Sequence, residues 1–302
     1  MRLSFLTLIV LFVVTCCSTA EPLPTNIPLP TNKPLPVDTP ESTKRPFVNA
    51  LALELPGMEQ VQVHNVQYSS YTGKSLPMDL YYPIDGGNAS GYPVVVFVSG
   101  FRTSALDLRN NSAYQSWGRL VAADGMVGVT YDSERPADLA ALISYLKENA
   151  DELEIDPNRI GLWSASANVP TALWYAMQED EKDVKFLVSY YGVMLSPDNY
   201  QREVLNTICR ESGCYGDDLK DVERIRTDLP LFIVRAGRDQ ADLNDFIDHF
   251  MELVSGTDVQ ATYINNEDGL HGFDTIKALN KERTIEIIEQ TLEFMKSVFG
   301  IE

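Results

Sequence analysis

The chain has 302 residues, enough for one large domain or two small ones. Its formal net charge of −19 excludes a broad basic surface, and with it nucleic-acid or anionic-membrane binding of the electrostatic kind. An apolar share of 44% is ordinary for a soluble globular protein and excludes a chain too polar to build a core.

In chain order, the N-terminus reads as a targeting segment. Arg2 precedes an apolar run from Leu3 to Val14, which is short for a bilayer span. Ser18-Thr-Ala20 offers a small-residue cleavage site. Cys16 or Cys17 offers the alternative of a lipoprotein signal, whose acylated cysteine would tether the protein to a membrane. On either reading residues 1–20 are a signal peptide, and the mature protein is expected outside the cytoplasm, secreted or anchored. Residues 21–46 follow as a Pro-rich disordered linker, in which Leu23-Pro-Thr-Asn, Leu29-Pro-Thr-Asn and Leu35-Pro-Val-Asp recur. Such a tract favours extended polyproline II and buries no core; at about 3.1 Å per residue it reaches roughly 80 Å.

Residues 47–302 read as one α/β domain. Val61 to Tyr68 and Ser75 to Tyr82 have strand character and are joined by a turn at Thr72-Gly73, an antiparallel start to a sheet. Tyr92 to Val98 is an apolar buried strand. Ala113 to Ala123 is helical, Met126 to Tyr131 a strand, and Leu139, Leu142, Ile143 and Leu146 mark an amphipathic helix. Arg159 to Trp163 is the next strand, and Pro170 to Met177 belongs to the helix after it. Phe186 to Val193, Pro230 to Ala236 and Val259 to Ile264 complete the strands. Ile285, Ile288, Leu292, Met295 and Phe299 mark a closing helix. The alternation predicts a mostly parallel sheet of about eight strands flanked by helices. Residues 195–227 are irregular, polar and charged, and are read as a short cap over a site or as a surface excursion.

The chemistry centres on Ser166, in Arg159-Ile-Gly-Leu-Trp-Ser-Ala-Ser-Ala-Asn168. A strand, a run of small residues and a helix are the layout of a nucleophile elbow, in which a serine is pushed out on a tight turn. Ser164 and Asn168 stand where the common pattern has glycines, and Asn168 is the residue expected to crowd the turn; asparagine tolerates left-handed dihedrals, which offsets this. Asp239 follows the strand ending at Ala236, and His271 follows the strand ending at Ile264. An alcohol is a weak nucleophile near neutral pH. A histidine must take its proton, and a carboxylate must fix that histidine's tautomer.

Of the three histidines, His64 lies in an early strand. His249 lies on a helix with Asp245 and Glu252 nearby, on a face expected to be solvated. His271, between Gly269 and Gly272, is the one in a post-strand loop. Ser164 is a lesser nucleophile candidate, Asp242 and Asp245 lesser acids, and Asp274 is expected to cap or orient the final loop. Tyr190 and Tyr191 could line a pocket or belong to the core, and Arg102 is expected to be solvated. Outside the signal only Cys209 and Cys214 remain; in an oxidising compartment they are expected to form a small-loop disulfide. No second cysteine pair or nearby histidine completes a metal site, and no Walker loop, dinucleotide fingerprint or His-Glu-x-x-His motif occurs, so no cofactor is expected.

With Ser166, Asp239 and His271 in that order, residues 50–302 resemble the α/β-hydrolase superfamily, and within it dienelactone-hydrolase-like and acetyl-esterase-like proteins. The stretches that carry the likeness are Tyr92-Pro-Val-Val-Val-Phe-Val-Ser-Gly-Phe101, Ile155-Asp-Pro-Asn-Arg-Ile-Gly-Leu-Trp163, Ala236-Gly-Arg-Asp239 and His271-Gly-Phe-Asp274. No cysteine stands near the elbow, which moves the expectation from dienelactone hydrolase to a serine esterase. Many relatives carry His-Gly where this chain has Ser99-Gly100. The resemblance implies an oxyanion hole from the backbone N–H groups of Phe101 and Ala167, and a small-molecule or carbohydrate ester as substrate. The rivals are an inactive envelope binding protein of the same fold and a serine peptidase.

Overall fold

A computed structural model of the chain describes residues 47–84, 90–100, 108–178, 183–212 and 222–301. The signal segment, the linker, Phe101, Arg102 and Cys214 lie outside the described residues. Among the described residues, eight strands form one sheet in the order β1-β2-β4-β3-β5-β6-β7-β8. They are β1 (Gln62–Ser69), β2 (Ser75–Tyr82), β3 (Tyr92–Phe97), β4 (Val127–Tyr131), β5 (Ile155–Ala165), β6 (Val184–Tyr190), β7 (Leu231–Ala236) and β8 (Ala261–Asn266). The helices are α1 (Ser112–Ala123), α2 (Ala137–Glu148), α3 (Val169–Ala176), α4 (Arg202–Ser212), α5 (Ala241–Val254) and α6 (Lys281–Phe299).

β1 and β2 pair antiparallel, as the sequence predicts, through a turn in which Gly73 takes φ +80°. A side chain disfavours that dihedral, so glycine sits where the chain reverses. β2 also pairs antiparallel with β4, and every later pairing is parallel. β3 and β4 are buried at every residue, because a parallel sheet is covered on both faces. From β3 the chain crosses first to β4 on one side, then to β5 on the other. Such a switch of direction opens a crevice beyond the carboxyl ends of the strands, here β3 and β5. Under that crevice Trp163 packs against Phe97, Tyr114, Trp117 and Tyr190 with ring centroids 5.0 to 5.7 Å apart, a rigid aromatic floor.

Two stretches differ from expectation. β6 stops at Tyr190 rather than running to Val193: Tyr191 takes φ +39°, and a side chain at Gly192 would strike Val169 at 2.4 Å. The close approach of α3 forces the strand to turn there. The 195–227 stretch contains the helix α4, with Leu205 and Cys209 buried. Its flanking charges dilute the apolar spacing and mask the helix in the sequence.

α1 meets β4 where Gly118 and Gly128 touch. A Cβ on Gly128 would lie 2.7 Å from the Gly118 carbonyl oxygen and 2.8 Å from its Cα, both backbone atoms unable to swing aside. Gly128→Ala should therefore destabilise the fold by about 1–3 kcal/mol, as overpacking does. Urea unfolding of both proteins measures it, and an unchanged midpoint would show that α1 does not sit this close.

Candidate active site

β5 ends at Ala165, residues Ser166–Asn168 form one 3-10 turn, and α3 begins at Val169 with Pro170 in its first turn. Proline is tolerated there because the missing N–H has no helical partner. Ser166 itself takes φ +56°, the left-handed conformation that lifts a nucleophile out of its turn. Its carbonyl accepts from Val193 N at 3.3 Å. Asn168 has φ −84° and ψ −22°, ordinary right-handed values, so the left-handed tolerance expected of it is not used. Nor does its side chain crowd the turn. It is buried, accepts from the Gly100 N–H at 2.6 Å and donates to the Tyr114 hydroxyl at 2.7 Å. Ser164 is fully buried inside β5, out of reach of any substrate.

The loops after β7 and β8 are bound to each other. Gly237 N donates to the Asn266 carbonyl at 2.7 Å and Arg238 N to the Gly269 carbonyl at 2.8 Å. A Cβ on Gly237 would meet the Glu267 backbone at 2.7 Å, so glycine permits this approach. The result is a hydrogen-bonded chain of three side chains. Ser166 Oγ lies 2.7 Å from His271 Nε2, and His271 Nδ1 lies 2.7 Å from Asp239 Oδ2. The Asp239 side chain is 2% exposed and that of His271 40%, so the carboxylate is enclosed and the imidazole opens to solvent. Oδ1 of Asp239 accepts from Gln240 N at 2.8 Å. A carboxylate beside Nδ1 favours the tautomer with its proton there, which leaves the Nε2 lone pair facing the serine.

Beside this chain lies a cavity of ≈ 690 Å³. Ser166, Ala167 and His271 form its floor, while Val204, Ile208 and Leu243 supply apolar wall from α4 and α5. Ala167, one of the two residues expected to donate to an oxyanion, lines the cavity beside Ser166, whereas Phe101 falls outside the described residues. Cys209 is buried on α4 and its expected partner, Cys214, is also outside them. Asp242 lines the cavity without touching His271's partner position, and Asp245 is exposed. His64 packs its ring, tilted, 4.8 Å from that of Tyr82, on the far edge of the sheet. His249 is not on an open face as predicted. Its Nε2 lies 2.8 Å from Asp198 Oδ2 and its ring stacks on Tyr200 at 3.9 Å, because residues before α4 fold back over α5.

Tyr191 and Asp274 lie beneath His271, joined in a way the sequence reading does not foresee. Tyr191, with its left-handed backbone, packs its ring 4.8 Å from the His271 ring. Its hydroxyl donates to Asp274 Oδ1 at 2.8 Å, and Trp117 Nε1 donates to Oδ2 at 2.8 Å. Asp274 is therefore more than a loop cap: it is a buried carboxyl linking α1, the end of β6 and the histidine loop. The segment before β1 adds a clasp, with Ala52 N donating to the Asp274 carbonyl at 3.0 Å. No spacing rule joins positions 117, 191 and 274; only their types, buried aromatic donors and a late acid, hint at the link.

No known family profile matches the chain, and no curated protein sequence is similar to it. Solved structures are similar. A thermophilic esterase from the planctomycete Thermogutta terrifontis superposes with a TM-score of 0.60 at 17% identity, over 80% of this chain and 94% of that one. A variant of an α/β-hydrolase enzyme from the metagenome of Lake Arreo, Spain, gives 0.60 at 17% identity, over 79% and 83%. A bacterial heroin esterase gives 0.62 at 15% identity, over 82% and 87%. This chain accordingly has the α/β-hydrolase fold.

Burial raises the Asp274 carboxyl above the usual carboxylate range, against the lowering effect of its bonds to Trp117 and Tyr191. The folded state then holds a proton that the unfolded state has released, between about pH 4 and the raised value. Stability from this group must fall as pH rises through that window. Asn at position 274 keeps an acceptor for Trp117 and a donor for Tyr191 but does not titrate. Urea unfolding of wild type and Asp274→Asn across pH 4 to 8 should show wild type gaining on the variant as pH falls. A difference that is flat or slopes the other way would contradict the burial effect.

Proposed function

We propose that the protein is a serine hydrolase that cleaves carboxylic esters through an acyl-enzyme. The observation that carries this reading is the unbroken chain from Ser166 Oγ through His271 to Asp239, both links at 2.7 Å. Ser166 attacks the ester carbonyl while His271 Nε2 takes its proton. Asp239 holds the imidazole and stabilises the imidazolium. The tetrahedral intermediate places negative charge on the former carbonyl oxygen, toward the backbone N–H groups of Ala167 and Phe101. His271 passes the proton to the leaving alcohol, and water, activated the same way, releases the acid and restores Ser166. The cavity of ≈ 690 Å³ beside the serine has room for a small ester, and the structural neighbours that are named esterases support this substrate class over a peptide.

On this reading α4, with Val204, Thr207 and Ile208 on the cavity, acts as the cap over the acyl or alcohol group. The burial of Cys209 on that helix supports a bridge to Cys214 that closes the cap's end. The apolar run Leu3 to Val14 behind Arg2, with Cys16 and Cys17 next to it, supports delivery outside the cytoplasm by a secretory or lipoprotein signal.

Hydrolysis of p-nitrophenyl acetate tests the mechanism. Ser166→Ala should lower kcat by about 10⁶-fold and Asp239→Asn by about 10⁴-fold, the losses typical of such chains. A Ser166→Ala protein as fast as wild type would remove the serine from the reaction.

A further inference from the structure

Asn168 stands at the position where the elbow pattern has glycine, and its side chain is fully engaged. Oδ1 accepts from the Gly100 N–H at 2.6 Å, and Nδ2 donates to the Tyr114 hydroxyl at 2.7 Å. Both neighbours are as constrained as it is. Gly100 is pressed so closely on the turn that a Cβ there would lie 2.7 Å from Asn168 Cα and 3.2 Å from the Ala167 carbonyl oxygen. Tyr114 is buried on α1, and its ring packs edge-on to Trp163, the last large residue of β5 before the turn. The hydrogen bonds thus run from the backbone leaving β3, through the elbow, to a helix of the opposite layer.

We propose that Asn168 is a positioning residue that locks the backbone after β3 to the nucleophile turn. This inference rests on the esterase reading above and extends it to how the oxyanion site is held in register with Ser166. The physical argument is one of accounting. The Gly100 N–H points at Asn168, so it is committed to this bond and is not itself offered to an oxyanion. An oxyanion hole has one donor on the turn and one on the strand-end loop, and it works only if the two are fixed relative to each other. Here the two backbones also approach closely, with glycine at position 100 rather than 168, and the Asn168 side chain adds bonds from the turn to the Gly100 backbone and to Tyr114 on α1. A buried amide with both ends satisfied is rigid, and losing either end leaves a buried polar group unpaired. The role falls on the transition state, so it belongs to kcat more than to KM.

Steady-state hydrolysis of p-nitrophenyl acetate and amide exchange at Gly100 test this together. Asn168→Ala should lose about tenfold to hundredfold in kcat, the scale of a small misplacement at a reacting centre, with KM nearly unchanged. Its Gly100 amide should exchange faster than in wild type. Asn168→Asp should recover most of the rate, because a carboxylate still accepts from Gly100 and the Tyr114 hydroxyl can rotate to donate. Should Asn168→Ala not fold, Tyr114→Phe frees one end of the amide while keeping the ring, and a smaller loss in kcat at constant KM is expected. Wild-type kcat in Asn168→Ala, equal impairment in the Ala and Asp variants, a wild-type rate in Tyr114→Phe, or unaltered Gly100 exchange would each overturn the proposal. Failure of the esterase reading looks different: wild type and Ser166→Ala would hydrolyse the ester alike, while Gly100 exchange would still report on the lock.

Discussion

The structure depends on one strained turn. Ser166 occupies a left-handed backbone conformation that few non-glycine residues adopt, and its neighbours keep it there. β5 feeds the turn from the middle of the sheet, α3 leaves it at once, and Val193 N, just past the end of the neighbouring β6, holds the Ser166 carbonyl. A residue held this way cannot relax into a helix or strand without moving the centre of the sheet. The cost of the conformation is carried by the core, and the hydroxyl is left at a fixed point above the strand ends.

The surroundings of the turn are built to the same end. The aromatic floor around Trp163 is buried and leaves no slack below the strand ends. On one flank Asn168 bonds the Gly100 backbone to the turn; on the other, paired backbone bonds between the β7 and β8 loops carry Asp239 and His271 as a unit. Tyr191 and Asp274 support the imidazole from beneath. Each side chain of the chemical group is thus set by backbone hydrogen bonds or by burial rather than by its own rotamer alone. That is the condition for a site that does not reorganise during reaction.

Much of this was legible in the sequence, for reasons visible in particular residues. The run Pro93 to Val98 is apolar throughout because β3 is covered on both faces, and its valines and short length favour a strand over a buried helix. Ser166, Asp239 and His271 stood out because each follows a stretch with strand character, in an order the fold demands. What stayed hidden depends on contacts between distant segments. Asn168 looked like an obstruction, since nothing in the sequence tells that Gly100 lies against it. Asp274 looked like a loop cap, since its partners Trp117 and Tyr191 come from other elements. The helix α4 was hidden because charged residues surround its few buried ones, and His249 because its stacking partner, Tyr200, lies across a fold in the chain.

The central claim is that this geometry makes Ser166 an activated nucleophile. A fluorophosphonate, which bonds to an activated hydroxyl nucleophile and hardly to an ordinary serine, measures that directly, with the adduct located by peptide mass mapping. The account predicts one stoichiometric adduct on Ser166, lost in His271→Ala, whose serine keeps its place but not its base. An unlabelled protein, or an adduct on some other residue, would contradict it.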